Sequence, residues 1–133
     1  MMNLEEELGA AGGVSVQCLT LYIPDRDSTG NVIRDQRRWV LDGSDLLAKI
    51  GGGVTIMPPV EGGWVDDSGE IVWEHPVLMY TFIRPTSFKK LLPELRVFLH
   101  TLGRETRQGE VVFEFDGRFY RIRKFDAAGR SSK

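Results

Sequence analysis

The sequence lacks the residues and segments that define several common classes of protein. Its 133 residues include one cysteine, Cys18, and two histidines. A single thiol excludes an internal disulfide and a cysteine-based metal cluster. No apolar run approaches the roughly 18 residues that a membrane-spanning helix needs. The first residues also lack the basic and then apolar segments of a signal peptide. We therefore expect a cytoplasmic protein that holds no metal and no other cofactor.

Charge of one sign is not in large excess either. The formal net charge is -2, which favours neither nucleic acid nor a membrane surface as a partner. Residues 100–133 nevertheless carry eight Lys or Arg and five Asp or Glu, so basic residues are concentrated toward the end of the chain. The length suits one domain, which we expect to span residues 13–126 between a flexible arm (1–12) and a flexible tail (127–133).

Apolar periodicity predicts a strand and then a helix in the first half of the chain. Residues 14–23 are rich in β-branched and apolar side chains, and Pro24 ends the predicted strand. Apolar residues recur at helical spacing over residues 35–50, with Asp35 as the expected N-cap. Gly51 is placed to end this helix.

The middle of the chain is predicted to be extended. The prolines at 58–59 confine the segment after the glycines to a sheet edge. A hairpin follows, in which Gly62–Val65 turns through residues 66–69 into a long strand over residues 70–84. Pro76 lies inside this strand, where we expect a bulge or a bend.

A second helix is predicted over residues 88–102, which carry one apolar stripe. Pro93 lacks an N–H and prefers the first turn of a helix, so the regular helix is expected to begin only near Leu91. Gly103 is expected to stop it.

The chain is expected to close with a hairpin. Asp116-Gly117 is a favoured two-residue turn, and it sets four side chains on the core face: Val111, Phe113, Tyr120 and Ile122. The order of elements is then β-α-β-β-α-β with an added C-terminal hairpin strand. This order predicts a ferredoxin-like α+β fold, in which two helices cover one face of an antiparallel sheet. The other face stays open, and we expect a homodimer or a protein partner to cover it.

The glycines after the first predicted helix form one candidate binding element. Gly52, Gly53 and Thr55 have the composition of a phosphate loop, but such loops stand before a helix rather than after it. No Gly-Lys-Ser/Thr sequence follows them. We interpret them as a structural turn and retain them, with Trp64 and Trp73 of the hairpin, as candidate ligand-binding residues.

Glu74 and His75 form the candidate catalytic pair. A carboxylate and an imidazole can supply acid–base chemistry near neutral pH. Adjacent residues of a strand point to opposite faces, so the two share a site only if Pro76 distorts the strand.

Basic residues of the last hairpin form a candidate nucleic-acid site. Aromatic side chains alternate with them, which is similar to RNA-recognition modules whose exposed aromatics stack on bases. The aromatic–glycine signature of those modules is absent, so we interpret this face as solvated or dimer-forming. The basic residues are Arg118, Arg121, Arg123 and Lys124.

The middle third of the chain resembles a group of small bacterial proteins without an established activity. The shared pattern is a glycine–threonine turn, a Gly-Trp, and a Gly-x-Ile strand that ends in Glu. In this chain it falls on Gly53, Thr55, Gly63, Trp64, Gly69, Ile71 and Glu74. The resemblance implies the ferredoxin-like plan, and the proline-broken stretch before Trp64 is longer here.

Three classes of function remain open. We favour a non-catalytic binding or assembly module that self-associates through the open sheet face, because no reaction constellation is evident. One alternative is a small enzyme with a pocket near Trp64, Glu74 and His75. The other is a nucleic-acid binder that uses the basic hairpin.

Overall fold

The fold is built on an antiparallel sheet of five strands. A computed structural model describes residues 1–129 and has seven strands within them. They are β1 (Cys18–Ile23), β2 (Thr55–Ile56), β3 (Gly62–Val65), β4 (Ile71–Glu74), β5 (Val77–Phe82), β6 (Val111–Phe115) and β7 (Arg118–Ile122). The main sheet has the order β2–β5–β1–β6–β7, and β3 and β4 pair as a separate hairpin. Strand β1 is therefore central, with β5 on one edge and β6 on the other.

Two long helices cover one face of this sheet. They are α2 (Gln36–Gly51) and α3 (Pro85–Glu105), whereas α1 (Leu4–Leu8) is a short exposed helix. Each long helix presents an apolar stripe to alternate residues of the strands, and burial of that surface drives the packing. The core contains Leu19, Leu21, Ile23, Trp39, Val40, Leu46, Leu47, Ile50, Val77, Met79, Ile83, Leu95, Leu99, Leu102 and Val111.

The expected ferredoxin-like plan is confirmed. The main sheet, α2 and α3 follow the order β-α-β-β-α-β, and β7 adds one strand at the edge beside β6. The β3–β4 hairpin is an insertion between β2 and β5. The closing hairpin has the predicted register, since Phe113 pairs with Tyr120 and Val111 with Ile122. Asp116 and Gly117 both have positive φ, as the tight turn requires.

The single long strand predicted over residues 70–84 is wrong. Ile71–Glu74 pairs with β3, whereas Val77–Phe82 pairs with β1 and β2 in the main sheet. Pro76 cannot donate to a ladder, so the pairing changes sheets there instead of passing through a bulge. The Pro76 carbonyl accepts a hydrogen bond from the Val60 N–H at 3.1 Å. The β3–β4 hairpin is therefore not part of the main sheet, and this hydrogen bond attaches its base to the start of β5.

The second helix is longer than predicted at both ends. Helix α3 begins at Pro85, since proline is well tolerated in the first turn of a helix. It continues through Pro93 and ends at Glu105. Gly103 is therefore not a stop signal. A Cβ at this position would lie 2.1 Å from the Phe125 ring, so glycine is required for packing of the chain end against α3.

The ends of the chain differ in detail from expectation. Strand β1 begins at Cys18 rather than at residue 14. The expected arm contains α1, whose Asn3 cap accepts a hydrogen bond from the Glu6 N–H at 3.2 Å. Residues 130–133 of the expected tail lie outside the described residues. No helix within residues 1–129 has the length and apolar character needed to cross a bilayer.

We expect Gly51→Ala to destabilise the fold by about 1–3 kcal/mol, the usual cost of overpacking. Its Cβ would lie 1.9 Å from Thr81 Oγ1 and 2.5 Å from the Phe82 carbonyl oxygen, which belongs to the backbone and cannot rotate away. Gly53→Ala is the matched control, since its Cβ has no neighbour within 4 Å. Urea denaturation of both variants measures the difference. Equal midpoints would contradict the close packing of α2 on β5.

Candidate functional site

A cavity of about 650 Å³ lies between the open face of the main sheet and the β3–β4 hairpin. Its volume is in the range of pockets that hold small organic ligands. The floor comes from β1, β6 and β7, the roof from the hairpin, and the rim from the loops after β1 and α3. Its lining residues are Tyr22, Pro24, Arg26, Asp27, Ser28, Gly62, Gly63, Trp64, Glu74, Pro76, Gln108, Gly109, Glu110, Val111, Val112 and Phe119.

The register of the hairpin explains which of its side chains face the cavity. Gly62 pairs with Glu74 and Trp64 pairs with Val72, so these residues share one face of the hairpin. That face forms the roof, and both Trp64 and Glu74 line the cavity. Trp73 belongs to the other face and is 60% exposed. The structure thus brings Trp64 and Glu74 together and separates Trp73 from them.

Glu74 is a lining carboxylate whose pKa is raised above its ordinary value. Partial burial raises its pKa, and repulsion from the Asp25 carboxylate raises it further. The Arg26 guanidinium acts in the opposite direction but does not offset the other two effects. Ionised Glu74 is therefore held at a free-energy cost that a cationic ligand would relieve.

Tyr22 forms part of the floor and is locked in its neutral form. Its hydroxyl donates a hydrogen bond to the Glu114 carboxylate on the neighbouring strand. Burial, then this hydrogen bond and the negative charge of Glu114, raise the pKa of Tyr22 to about 12. Because its proton is directed to Glu114, Tyr22 presents an aromatic wall to the cavity and is unsuited to act as a base.

The rest of the floor is aromatic and apolar, with one further carboxylate at its edge. Phe119 is 53% exposed, and the Arg121 guanidinium carbon lies 5.3 Å from the centre of its ring. Glu110 also lines the cavity, but its carboxylate is 3.4 Å from the Arg123 Nε. The charge of Glu110 is thus partly compensated within the protein.

His75 does not join Glu74 in the cavity. Its backbone N–H donates to Asp25 Oδ1 at 2.9 Å, and its Nδ1 lies 3.9 Å from Asp25 Oδ2. It is not among the lining residues. His75 instead connects the end of β4 to the loop after β1, which fixes the position of Glu74 relative to the rim.

The glycine element lies away from the cavity, at the opposite end of β5. Gly52 ends α2 with φ 87°, and the Gly53 carbonyl accepts a hydrogen bond from Thr81 Oγ1 at 2.6 Å. Thr55 pairs with Tyr80 in the sheet. These contacts are those of a structural turn, and none of the three candidate residues lines the cavity.

The basic residues of the closing hairpin do not form one continuous surface. Arg118 pairs with Phe115 and shares the helix-covered side of the sheet, whereas Arg121 lies on the open face. Arg123 is paired with Glu110, and Lys124 follows the end of β7. Within residues 1–129, no group of three His, Cys, Asp or Glu side chains is arranged to hold a metal ion.

Comparison with known proteins identifies structures of similar fold. No protein-family model and no curated protein matches the sequence. One similar structure is a phage SAM lyase in complex with S-methyl-5'-thioadenosine, with TM-score 0.58 and 13% identity over 86% of this chain and 95% of that chain. Another is a phage SAM lyase in the apo state, with TM-score 0.56 and 14% identity over 86% and 96% of the two chains. At these identities the likeness shows the fold.

Sequence reasoning identified Trp64 and Glu74 but missed Tyr22, Glu114 and Arg26 as parts of the site. A signal for two of them was present. Tyr22 alternates with the core residues of β1, and Glu114 alternates with those of β6, so both face away from the helices. Arg26 carries no such signal, because the loop after β1 has no repeating pattern.

We expect Glu74→Gln to make the protein more stable at neutral pH. The pKa of Glu74 is raised in the folded state, so the folded protein binds this proton more tightly than the unfolded chain does. The free energy of unfolding therefore falls as pH rises from the ordinary pKa of a glutamate through the folded-state pKa. The amide removes this effect. Thermal unfolding of the two proteins should therefore diverge at neutral pH and converge at acidic pH. A variant that is less stable at neutral pH would show that Glu74 has a stabilising partner instead.

Proposed function

We propose that this chain is an enzyme that binds a sulfonium nucleoside of the SAM class and cleaves its carbon–sulfur bond. The observation that carries the proposal is Glu74, a partly buried carboxylate with a raised pKa, held beside Trp64 in a cavity of about 650 Å³. This proposal gives preference to a small enzyme over a purely non-catalytic module. The SAM lyases of similar fold, one of them in complex with S-methyl-5'-thioadenosine, support it.

The cavity has the two kinds of group that a sulfonium nucleoside needs. A carboxylate attracts the positively charged sulfur, and the attraction is strong because Glu74 is partly shielded from water. Aromatic faces attract cations and also stack on nucleobases. Trp64 in the roof and Tyr22 and Phe119 in the floor provide such faces on both sides of the cavity.

Release of S-methyl-5'-thioadenosine from SAM breaks the bond between sulfur and the γ-carbon of the amino-acid chain. The electron pair of that bond returns to sulfur, which becomes a neutral thioether. As that bond breaks, a carboxylate oxygen of the same chain bonds to the γ-carbon and gives a lactone, or the electron pair of a β-carbon–hydrogen bond forms a double bond to the γ-carbon while the β-proton passes to a base. Both routes balance without any co-reactant.

The surroundings of Glu74 bear on each route differently. Positive charge on sulfur decreases toward the transition state but is not yet lost, so expulsion of water from the cavity favours bond cleavage in either case. In the lactone route Glu74 positions the cation and takes no proton. In the alkene route the raised pKa of Glu74 makes it a more effective proton acceptor. The identity of the amino-acid product therefore reports the role of Glu74.

We expect the purified protein to convert SAM into S-methyl-5'-thioadenosine, measured by chromatography with mass detection. Glu74→Gln should lower kcat/KM at least about tenfold, because loss of one charge-assisted contact costs about 1.5–3 kcal/mol. Glu70→Gln is the matched control, since Glu70 is exposed on the same hairpin outside the cavity. A wild-type protein that neither binds nor cleaves SAM would overturn the proposal.

We propose in addition that the chain self-associates through the apolar surface that the hairpin presents outward. Val65, Ile71 and Trp73 share this face of the hairpin and are 66%, 53% and 60% exposed. Exposed apolar groups clustered in this way are typical of protein interfaces. The homodimer stays a prediction, as does the cytoplasmic location.

Light scattering coupled to size-exclusion chromatography tests the assembly. We expect a mass above that of one chain for the wild type, and a lower mass for the double variant Ile71→Ser, Trp73→Ser. The double variant Val14→Ser, Val16→Ser is the control, because these residues are also exposed but lie before β1. A wild-type mass of one chain at all concentrations would exclude self-association.

A further inference from the structure

The cavity has a single cationic lining side chain among the described residues, that of Arg26. Arg26 lies in the loop after β1, at the rim, and its side chain is 39% exposed. The nearest ion-pair contact is loose, since Nε lies 4.0 Å from Asp25 Oδ2. A partly exposed guanidinium at the mouth of a ligand cavity is placed to meet an anionic group of the ligand.

The backbone of Arg26 is held on both sides of the loop. It forms an isolated antiparallel bridge with Val32, and its carbonyl accepts a hydrogen bond from Gln108 Nε2 at 2.8 Å. The Ser28 N–H donates to the Arg107 carbonyl at 2.9 Å, which attaches the loop to the turn after α3. The rim is therefore fixed to two elements, and Arg26 projects from a supported position.

The side chain itself is partly oriented by the loop. Its Nη1 donates to the Gly30 carbonyl at 2.9 Å. A guanidinium has five N–H donors in a planar fork, so this contact leaves donors for a carboxylate. Arginine binds carboxylates with two parallel hydrogen bonds, and the geometry is specific because the fork is rigid.

Arg26 carries the one positive charge among the described residues that line the cavity, whereas Asp27, Glu74 and Glu110 supply carboxylates. Arg26 is close enough to Glu74 to lower the pKa of its carboxyl, against the larger effect of burial. A ligand whose cationic sulfur faces Glu74 can therefore direct a nearby anionic group toward Arg26. The amino-acid chain of SAM carries such a group, its α-carboxylate, a few bonds from the sulfur.

We propose that Arg26 is the specificity-determining residue that binds the α-carboxylate of the ligand's amino-acid chain. The inference rests on the proposed function and extends it. Aromatic stacking recognises the nucleobase, whereas Arg26 would recognise the amino-acid end of the ligand. Cleavage separates the carboxylate from the nucleoside. The nucleoside product no longer carries the carboxylate that Arg26 binds. Arg26 therefore increases the affinity for the substrate but not for the nucleoside product.

Two probes separate this role from general binding. S-Adenosylhomocysteine keeps the amino-acid chain but has a neutral sulfur, so it cannot undergo the proposed cleavage. S-Methyl-5'-thioadenosine lacks the chain altogether. We expect Arg26→Gln to weaken S-adenosylhomocysteine about tenfold or more in isothermal titration calorimetry, as for loss of a charge-assisted hydrogen bond. The Kd of S-methyl-5'-thioadenosine should stay within about twofold, which also shows that the variant is folded.

Two further variants sharpen the comparison. Arg26→Lys keeps the charge but not the fork, so it should recover part of the lost affinity for S-adenosylhomocysteine. Arg37→Gln removes the same charge from an exposed position on α2 and should leave both affinities unchanged.

The outcomes distinguish the two proposals. If the wild type binds both probes and Arg26→Gln weakens both equally or neither, the assignment of Arg26 is wrong and the ligand class stands. If the wild type binds neither probe nor SAM, the proposed function fails and the assignment fails with it. A selective loss for the probe with the carboxylate is the result that supports Arg26.

Discussion

Strand β1 is hydrogen-bonded along both edges, to β5 and to β6, so its side chains can leave the sheet in only two directions. Leu19, Leu21 and Ile23 enter the core under the helices, where they have almost no exposed surface. Tyr22, between the last two, is forced onto the open face and becomes the floor of the cavity. A slip of one residue would exchange the two sets. The register that buries the core is therefore also the register that builds the site.

The roof of the cavity depends on a weaker set of contacts. The β3–β4 hairpin has largely exposed residues, and it is attached near its base by the Val60 N–H to Pro76 carbonyl bond of 3.1 Å. The His75 N–H donates to Asp25 Oδ1 at 2.9 Å and ties the end of β4 to the rim. Elements with few buried contacts open most readily. We therefore expect the hairpin to open more readily than the strands of the main sheet.

The main sheet and both long helices could be predicted from the sequence, because apolar periodicity and turn residues report burial directly. The Asp116-Gly117 turn even set the register of β6 and β7 correctly. The change of sheets at Pro76 could not be predicted, since a proline marks a break but not where the chain goes afterwards. For Gly103, the sequence suggested a helix end, but contact with the distant Phe125 explains it. That Trp64 and Glu74 belong to one site could be predicted in part from the sequence. The position of Arg26 could not be predicted, because it depends on how the loop after β1 folds.

Stability and ligand binding act against each other at Glu74. The free protein holds its carboxylate beside Asp25 and partly away from water, which raises its pKa and disfavours the charged form. A cation bound there lowers the pKa again, and by linkage the affinity for that cation falls as pH drops below the pKa of the free protein. A neutral nucleoside has no such dependence on Glu74. On the proposed function, the same unfavourable charge that weakens the empty fold would let the cavity distinguish a sulfonium from a thioether.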